Sequence, residues 1–222
     1  MRDRDERPGR PFTGFKLARA VVSADGAAGF AGLSLGASQV YGAVADASCV
    51  WRARHAPPRR RCGCGFYCLH TMADARAMGC ATANRSALLI EVTAAGRYIR
   101  YERGLRYSRQ RVRAIRESRC GCGQPGTALA EAGTGLVGWR HLTPVCRRCA
   151  ATAPPVLTLR EFAALAGPAV RVTVPETRPD APGAPAEAAL PGVAGASPIA
   201  VLSAEIALLH ARLDDIQSRL DG

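Results

Sequence analysis

Eight residues fall into two groups with metal-ligand spacing, and no other feature constrains the fold of this chain as strongly. The first group is Cys49-x5-His55-x6-Cys62-x-Cys64, and the second is Cys120-x-Cys122-x23-Cys146-x2-Cys149. Zinc takes four nitrogen or sulfur donors in a tetrahedron, and short knuckles joined by a spacer can supply them. Glycines in Cys62-Gly63-Cys64-Gly65 and Cys120-Gly121-Cys122-Gly123 let the backbone curl so that two thiolates face one ion. Both groups are already four-membered, which points to two closed, structural zinc sites. His70 and Cys68 are the substitutes for the less regular first group. Otherwise Cys68 and Cys80 are expected to pack as small hydrophobic residues.

Disulfides are the competing use of these cysteines. Met1 to Arg10 is densely charged and is followed by no secretory apolar core, so a reducing, cytoplasmic setting is expected. There clustered cysteines signal metal or catalysis. The nine cysteines are an odd number, and the two Cys-x-Cys pairs are too close for easy internal bridging.

Charge narrows the classes of partner. Residues 51–119 carry sixteen arginines against four acids, so the net charge of +12 lies within that segment. Guanidinium forks grip phosphate and stack on bases, which suggests DNA or RNA. The expected contacts are Arg59, Arg60 and Arg61 in a loop, and Arg103, Arg106, Arg109, Arg111 and Arg113 further on. Against this, Lys16 is the only lysine, which is the mark of a codon bias, and anionic metal-thiolate sites attract arginine for their own sake. Ala27 to Ala45 is uncharged for nineteen residues, but it is dominated by Ala, Gly and Ser and reads as strand and turn, not as a membrane span.

The predicted fold class is α+β: small zinc-stabilised, β-rich modules with short helices and a C-terminal coiled-coil helix. Because only 5% of residues are aromatic, small metal-pinned cores are expected in place of one large core. Residues 1–11 are expected to be disordered, 12–118 to form a first module, and 119–174 a second, ribbon-like one. A strand is predicted from Gly14 to Ser23, ending at Asp25-Gly26. Capping boxes at Thr71–Asp74 and Thr158–Glu161 predict helices ending near Met78 and Ala166. Ala87–Thr93 and Arg97–Glu102 read as a hairpin turning at Ala94-Ala95-Gly96. Residues 105–118 suit strand slightly better than helix, 128–142 a small hairpin or loop, and Val170–Val174 a short strand.

Residues 175–197 form a linker rich in Pro, Ala and Gly. Beyond it, Leu202, Ile206, Leu209, Leu213, Ile216 and Leu220 alternate spacings of four and three, a heptad seam on a helix over 198–222. Self-association through that seam is expected.

Residues 12–118 resemble a group of zinc-binding-type proteins from actinobacteria and their phages, for which no activity is known. The resemblance rests on Gly14-Phe15-Lys16-Leu17, His55-Ala56-Pro57, Cys62-Gly63-Cys64-Gly65-Phe66-Tyr67, Gly96-Arg97 and Glu102-Arg103-Gly104-Leu105-Arg106. It implies a metal site that includes the Cys-x-Cys pair and leaves out Cys68, where that group usually has Ala. It matches Cys49 only loosely.

The leading functional expectation is a zinc-stabilised module that contacts nucleic acid and oligomerises through its tail. The alternative is a protein-interaction adaptor with structural zinc sites. An enzyme ranks last, because zinc catalysis needs an open position. Glu91, Glu102 and the pair Cys68 and His70 are the only other candidates for chemistry, and no third group completes them. Neither a small-molecule substrate nor a membrane partner is evident.

Overall fold

The structure, a computed structural model, describes residues 11–33, 39–49, 55–81 and 84–173. In chain order these form β1 (Phe12–Ser23), β2 (Ala28–Ala31), β3 (Val40–Tyr41), β4 (Val44–Asp46), β5 (Phe66–Leu69), α1 (Met72–Gly79), β6 (Leu88–Arg100), β7 (Gly104–Glu117), β8 (Ala128–Leu136), β9 (Trp139–Val145), β10 (Pro155–Thr158), α2 (Leu159–Ala166) and β11 (Arg171–Val172). The described part is therefore mainly β-sheet with two short helices. The expected disordered N-terminus (save Pro11), the linker and the coiled-coil helix lie outside the described residues.

Strand β1 organises the sheet. Its first half pairs with β6, from Phe12 opposite Ala94 to Ala18 opposite Leu88. Its second half pairs with β2 on one edge and with β9 on the other, where Ala20 lies opposite Leu142. β7 runs beside both β5 and β6, and β5 returns to β1 at Phe15 opposite Leu69. The order β1–β6–β7–β5–β1 thus closes a small ring. The boundary expected at 118/119 falls inside one compact unit, because β9 of the second segment is hydrogen-bonded to β1 of the first.

The expectation of small cores alone is corrected: two small clusters are present, around Leu17 and Leu89 and around Ala130 and Val145, but beside a larger one. One main cluster joins Val22 and Phe30 to Ile90, Val112 and Ile115 in the ring strands, to Leu129 and Leu142 in the β8–β9 hairpin, and to Phe162 of α2. The few aromatic residues are concentrated, not scattered. Phe162 meets Phe30 edge-on at 5.4 Å, Phe30 stacks on Tyr41 at 6.0 Å, and Tyr41 meets Phe66 at 5.4 Å. Large rings placed in series bury enough apolar area for one core despite a low aromatic content.

The hairpin turn expected at Ala94-Ala95-Gly96 is also corrected. β6 continues through these residues, and the chain reverses at Tyr101–Arg103, where the Tyr101 amide donates to the Gly104 carbonyl at 2.9 Å. Gly96 instead marks a bulge: Ala95 lies opposite Arg109 and Tyr98 opposite Tyr107, so two residues of β6 face one of β7. Gly96 has φ +75°, and a Cβ there would meet the Ser108 hydroxyl at 2.2 Å, so only glycine fits. The bulge breaks strict alternation in β7. Tyr107 and Gln110, three apart, both reach the core and are hydrogen-bonded at 3.1 Å. Arg109, Arg111 and Arg113 are left on the exposed side.

Both capped helices form where their boxes place them. The Thr71 hydroxyl accepts from the Asp74 amide at 3.1 Å, and Thr158 and Glu161 cap α2 reciprocally. The uncharged stretch 27–45 contributes β2, β3 and the start of β4. No helix among the described residues is long and apolar enough to cross a membrane.

One polar group sits against the aromatic series. The Lys16 ammonium lies 4.8 Å from the Tyr41 ring centroid and 5.2 Å from that of Phe66, with the Gln110 carbonyl oxygen at 3.5 Å. Burial pushes it down from 10.5 to about 8, opposed by the nearby Cys68 thiol. The unfolded chain therefore binds the additional proton between those values, and stability rises with pH across that window. Denaturant titrations at pH 7 and pH 10 should show Lys16→Met gaining about 1–3 kcal/mol on the wild type at pH 7 and losing most of that advantage at pH 10. An equal difference at both values would contradict a buried ammonium.

Candidate metal centres and the basic face

The structure brings each ligand group together. The donor atoms of Cys49, His55, Cys62 and Cys64 all lie within 4.8 Å of one another, and so do those of Cys120, Cys122, Cys146 and Cys149. Two thiolates on one tetrahedral ion with bonds of about 2.3 Å stand about 3.8 Å apart. Cys49 and Cys62 sulfurs are 3.7 Å apart, and those of Cys122 and Cys146 are 3.6 Å apart. The His55 Nε2 atom lies 3.2 Å from the Cys64 sulfur. Donors that near, three sulfurs with an imidazole in the first group and four sulfurs in the second, suit a metal ion, and both groups could hold one. Their closed donor sets cross-link chain segments, in keeping with a structural role.

The first group is assembled from three chain segments. Cys49 follows β4, His55 opens the proline loop, and Cys62 and Cys64 lead into β5. A tight turn joins Arg59 to Cys62, whose amide donates to the Arg59 carbonyl at 3.0 Å. Gly65, at φ +115°, leaves room for the Arg106 side chain, whose Cγ a Cβ at that position would meet at 3.0 Å. Burial pushes the Cys64 thiol up to about 11, with the Cys62 and Cys49 sulfurs adding to the rise. A bound cation would reverse that preference, so protons compete with the metal and retention falls as pH falls.

The second group hangs from the ends of β7 and β9. Cys120 and Cys122 share a turn closed by the Gly123 amide donating to the Cys120 carbonyl at 2.8 Å. Cys146 directly follows β9, and Cys149 opens a short 3-10 turn, Cys149–Ala151. Burial opposes ionisation of Cys120, but the amides of Cys122 and Cys146 and the neighbouring thiols outweigh it and bring that thiol down to about 7. Cys149 is pushed up to about 12, first by its hydrogen bond to Cys120. Hydrogen bonds among the four sulfurs thus favour the thiolate at Cys120 and the thiol at Cys149.

Of the arginines expected to contact nucleic acid, Arg106 is corrected. It is buried, and its guanidinium donates to the Arg59 carbonyl at 3.0 Å, to the Cys62 carbonyl, and to the Tyr67 hydroxyl at 3.2 Å. It holds the ligand loop, and so does Arg97, which donates to the Pro57 carbonyl at 3.1 Å. Composition gave no sign of this role, though both arginines lie in the motifs that carry the family resemblance. Arg103 pairs with Asp74, and Arg109 pairs bidentately with Asp46 at 2.6 and 2.9 Å. Arg59, Arg60, Arg61, Arg111 and Arg113 are exposed.

The remaining candidates for chemistry separate. Cys68 is buried among the ring strands, whereas His70 lies at the surface near the Tyr101 carbonyl, at 3.3 Å. Cys80 is exposed at the end of α1, contrary to the expected packing, and Glu91 is held by Arg116.

Comparison with protein-family models, curated proteins and solved structures finds no match for this chain.

If Arg106 holds the ligand loop, Arg106→Leu should weaken metal retention in the first group by roughly 10–100-fold, the effect usual for groups that orient ligands. Competition against a chromophoric chelator would resolve the two sites, and the second should be unchanged. Equal retention at both would contradict the role given to Arg106.

Proposed function

We propose that this protein is a zinc-stabilised binding module that contacts nucleic acid through its basic face, with the C-terminal helix joining copies. The observation that carries the reading is the position of Arg59, Arg60 and Arg61. They project from a loop that ligands and Arg106 hold against β7, the strand that also exposes Arg111 and Arg113. Charges fixed on a rigid loop spend little conformational freedom on gripping phosphate. The ions supply cross-linking and positive charge, and no open coordination position.

A protein adaptor is the second reading, supported by the β8–β9 hairpin. Its residues 131–135 are exposed, and Val137 at its tip is fully exposed. Apolar side chains at a hairpin tip suit contact with another protein.

Salt-titrated binding to labelled oligonucleotides separates the two readings. Replacing Arg59, Arg60 and Arg61 with Gln should reduce the slope of log affinity against log salt by about 2–3, at 0.7–0.9 per phosphate contact. Affinity that ignores both salt and these substitutions would favour the adaptor.

A further inference from the structure

Two tyrosines face solvent beside the metal-bound loop, and the nucleic-acid reading does not account for them. Tyr67 is 47% exposed and Tyr101 is 46% exposed. Both flank one side chain: the Arg106 guanidinium carbon lies 5.7 Å from the Tyr67 ring centroid and 5.8 Å from that of Tyr101. The sheet register explains the arrangement. Tyr67 of β5 and Ile99 of β6 lie opposite Arg106 on either side of β7, and Tyr101 follows two residues after Ile99. The register sets Tyr67 beside Arg106, and the turn after β6 brings Tyr101 to the same guanidinium.

The Tyr67 ring is held in place. Its hydroxyl donates to the Gly63 carbonyl at 3.2 Å and accepts from Arg106. Arg106 is itself fixed to the ligand loop, which carries Arg59, Arg60 and Arg61, and Arg103, two residues after Tyr101, is anchored by Asp74. The arrangement is two exposed aromatic rings that share one guanidinium, with further arginines beside them in the chain.

We infer that the partner of this face is single-stranded nucleic acid, whose unpaired bases stack on Tyr67 and Tyr101 while Arg59–Arg61 contact its phosphates. This rests on the nucleic-acid reading above. A duplex keeps its base faces inside the stack, so a surface ring can reach them only where a strand is unpaired. Phosphate contacts alone would need no aromatic residue here. Stacking accepts any base, so the expected preference is for strandedness over sequence.

Tyr101 is the residue to vary, because Tyr67 also supports the ligand loop. The probes are a fluorescein-labelled oligodeoxyadenylate of about 20 nucleotides, its duplex with oligothymidylate, and the matching oligoriboadenylate, read by anisotropy on the metal-loaded full chain. Single strands should bind more tightly than the duplex, and comparing the deoxy and ribo strands shows which sugar is accepted. Tyr101→Ala should lower single-strand affinity at least about five-fold without changing the salt slope, whereas Tyr101→Phe should bind like the wild type. Duplex binding as tight as single-strand binding, or a Tyr101→Ala variant that binds like wild type, overturns the stacking inference. If affinity still depends on Arg59–Arg61 in that case, the basic-face reading survives alone. Absence of salt-dependent binding to any of the probes overturns both.

Discussion

Four sulfur or nitrogen donors drawn within 4.8 Å of one another repel as their thiols ionise, and a shared cation would make that convergence favourable. The loops depend on this constraint. Residues 55–64 form no strand or helix and contribute one isolated bridge, and what shapes them is their ligands together with Arg97 and Arg106. The second group likewise fixes the turn after β7 to the turn after β9. β7 therefore runs between two metal-held structures, with Arg106 near its start and Cys120 just beyond its end.

The main apolar cluster contains none of the eight candidate ligands. β1 pairs with β6 and with β9, so both ligand-bearing segments share one strand and that cluster. Burial of Phe30, Tyr107, Ile115 and Phe162 stabilises the body, and metal ions held by the two groups would set the shape of its margins. Exposed arginines and tyrosines on those margins then gain a rigidity that a loop of Pro, Arg and Gly would otherwise lack.

Much of this was legible in the sequence. The ligand spacing gives both groups, because tetrahedral coordination permits few arrangements of knuckles. Thr71 and Thr158 announce their helices because a capping hydroxyl acts on neighbours three residues away. Gly96 was misleading: Ala94-Ala95-Gly96 suits a turn or a bulge equally, and the choice depends on Ser108, a long-range partner in β7. Arg106 was hidden in a block of sixteen arginines, where composition cannot separate the buried one from the exposed ones. The main core escaped notice because aromatic content does not reveal that Phe30, Tyr41, Phe66 and Phe162 follow one another in space.

Native mass spectrometry of the full chain, with and without a chelator, tests the central claim most directly. The account predicts two zinc ions per chain, both lost to the chelator with all nine thiols left reduced. A metal-free protein whose mass falls short by pairs of hydrogens would mean disulfides in place of ions, and would contradict the loops, the basic face and the compartment argued from them.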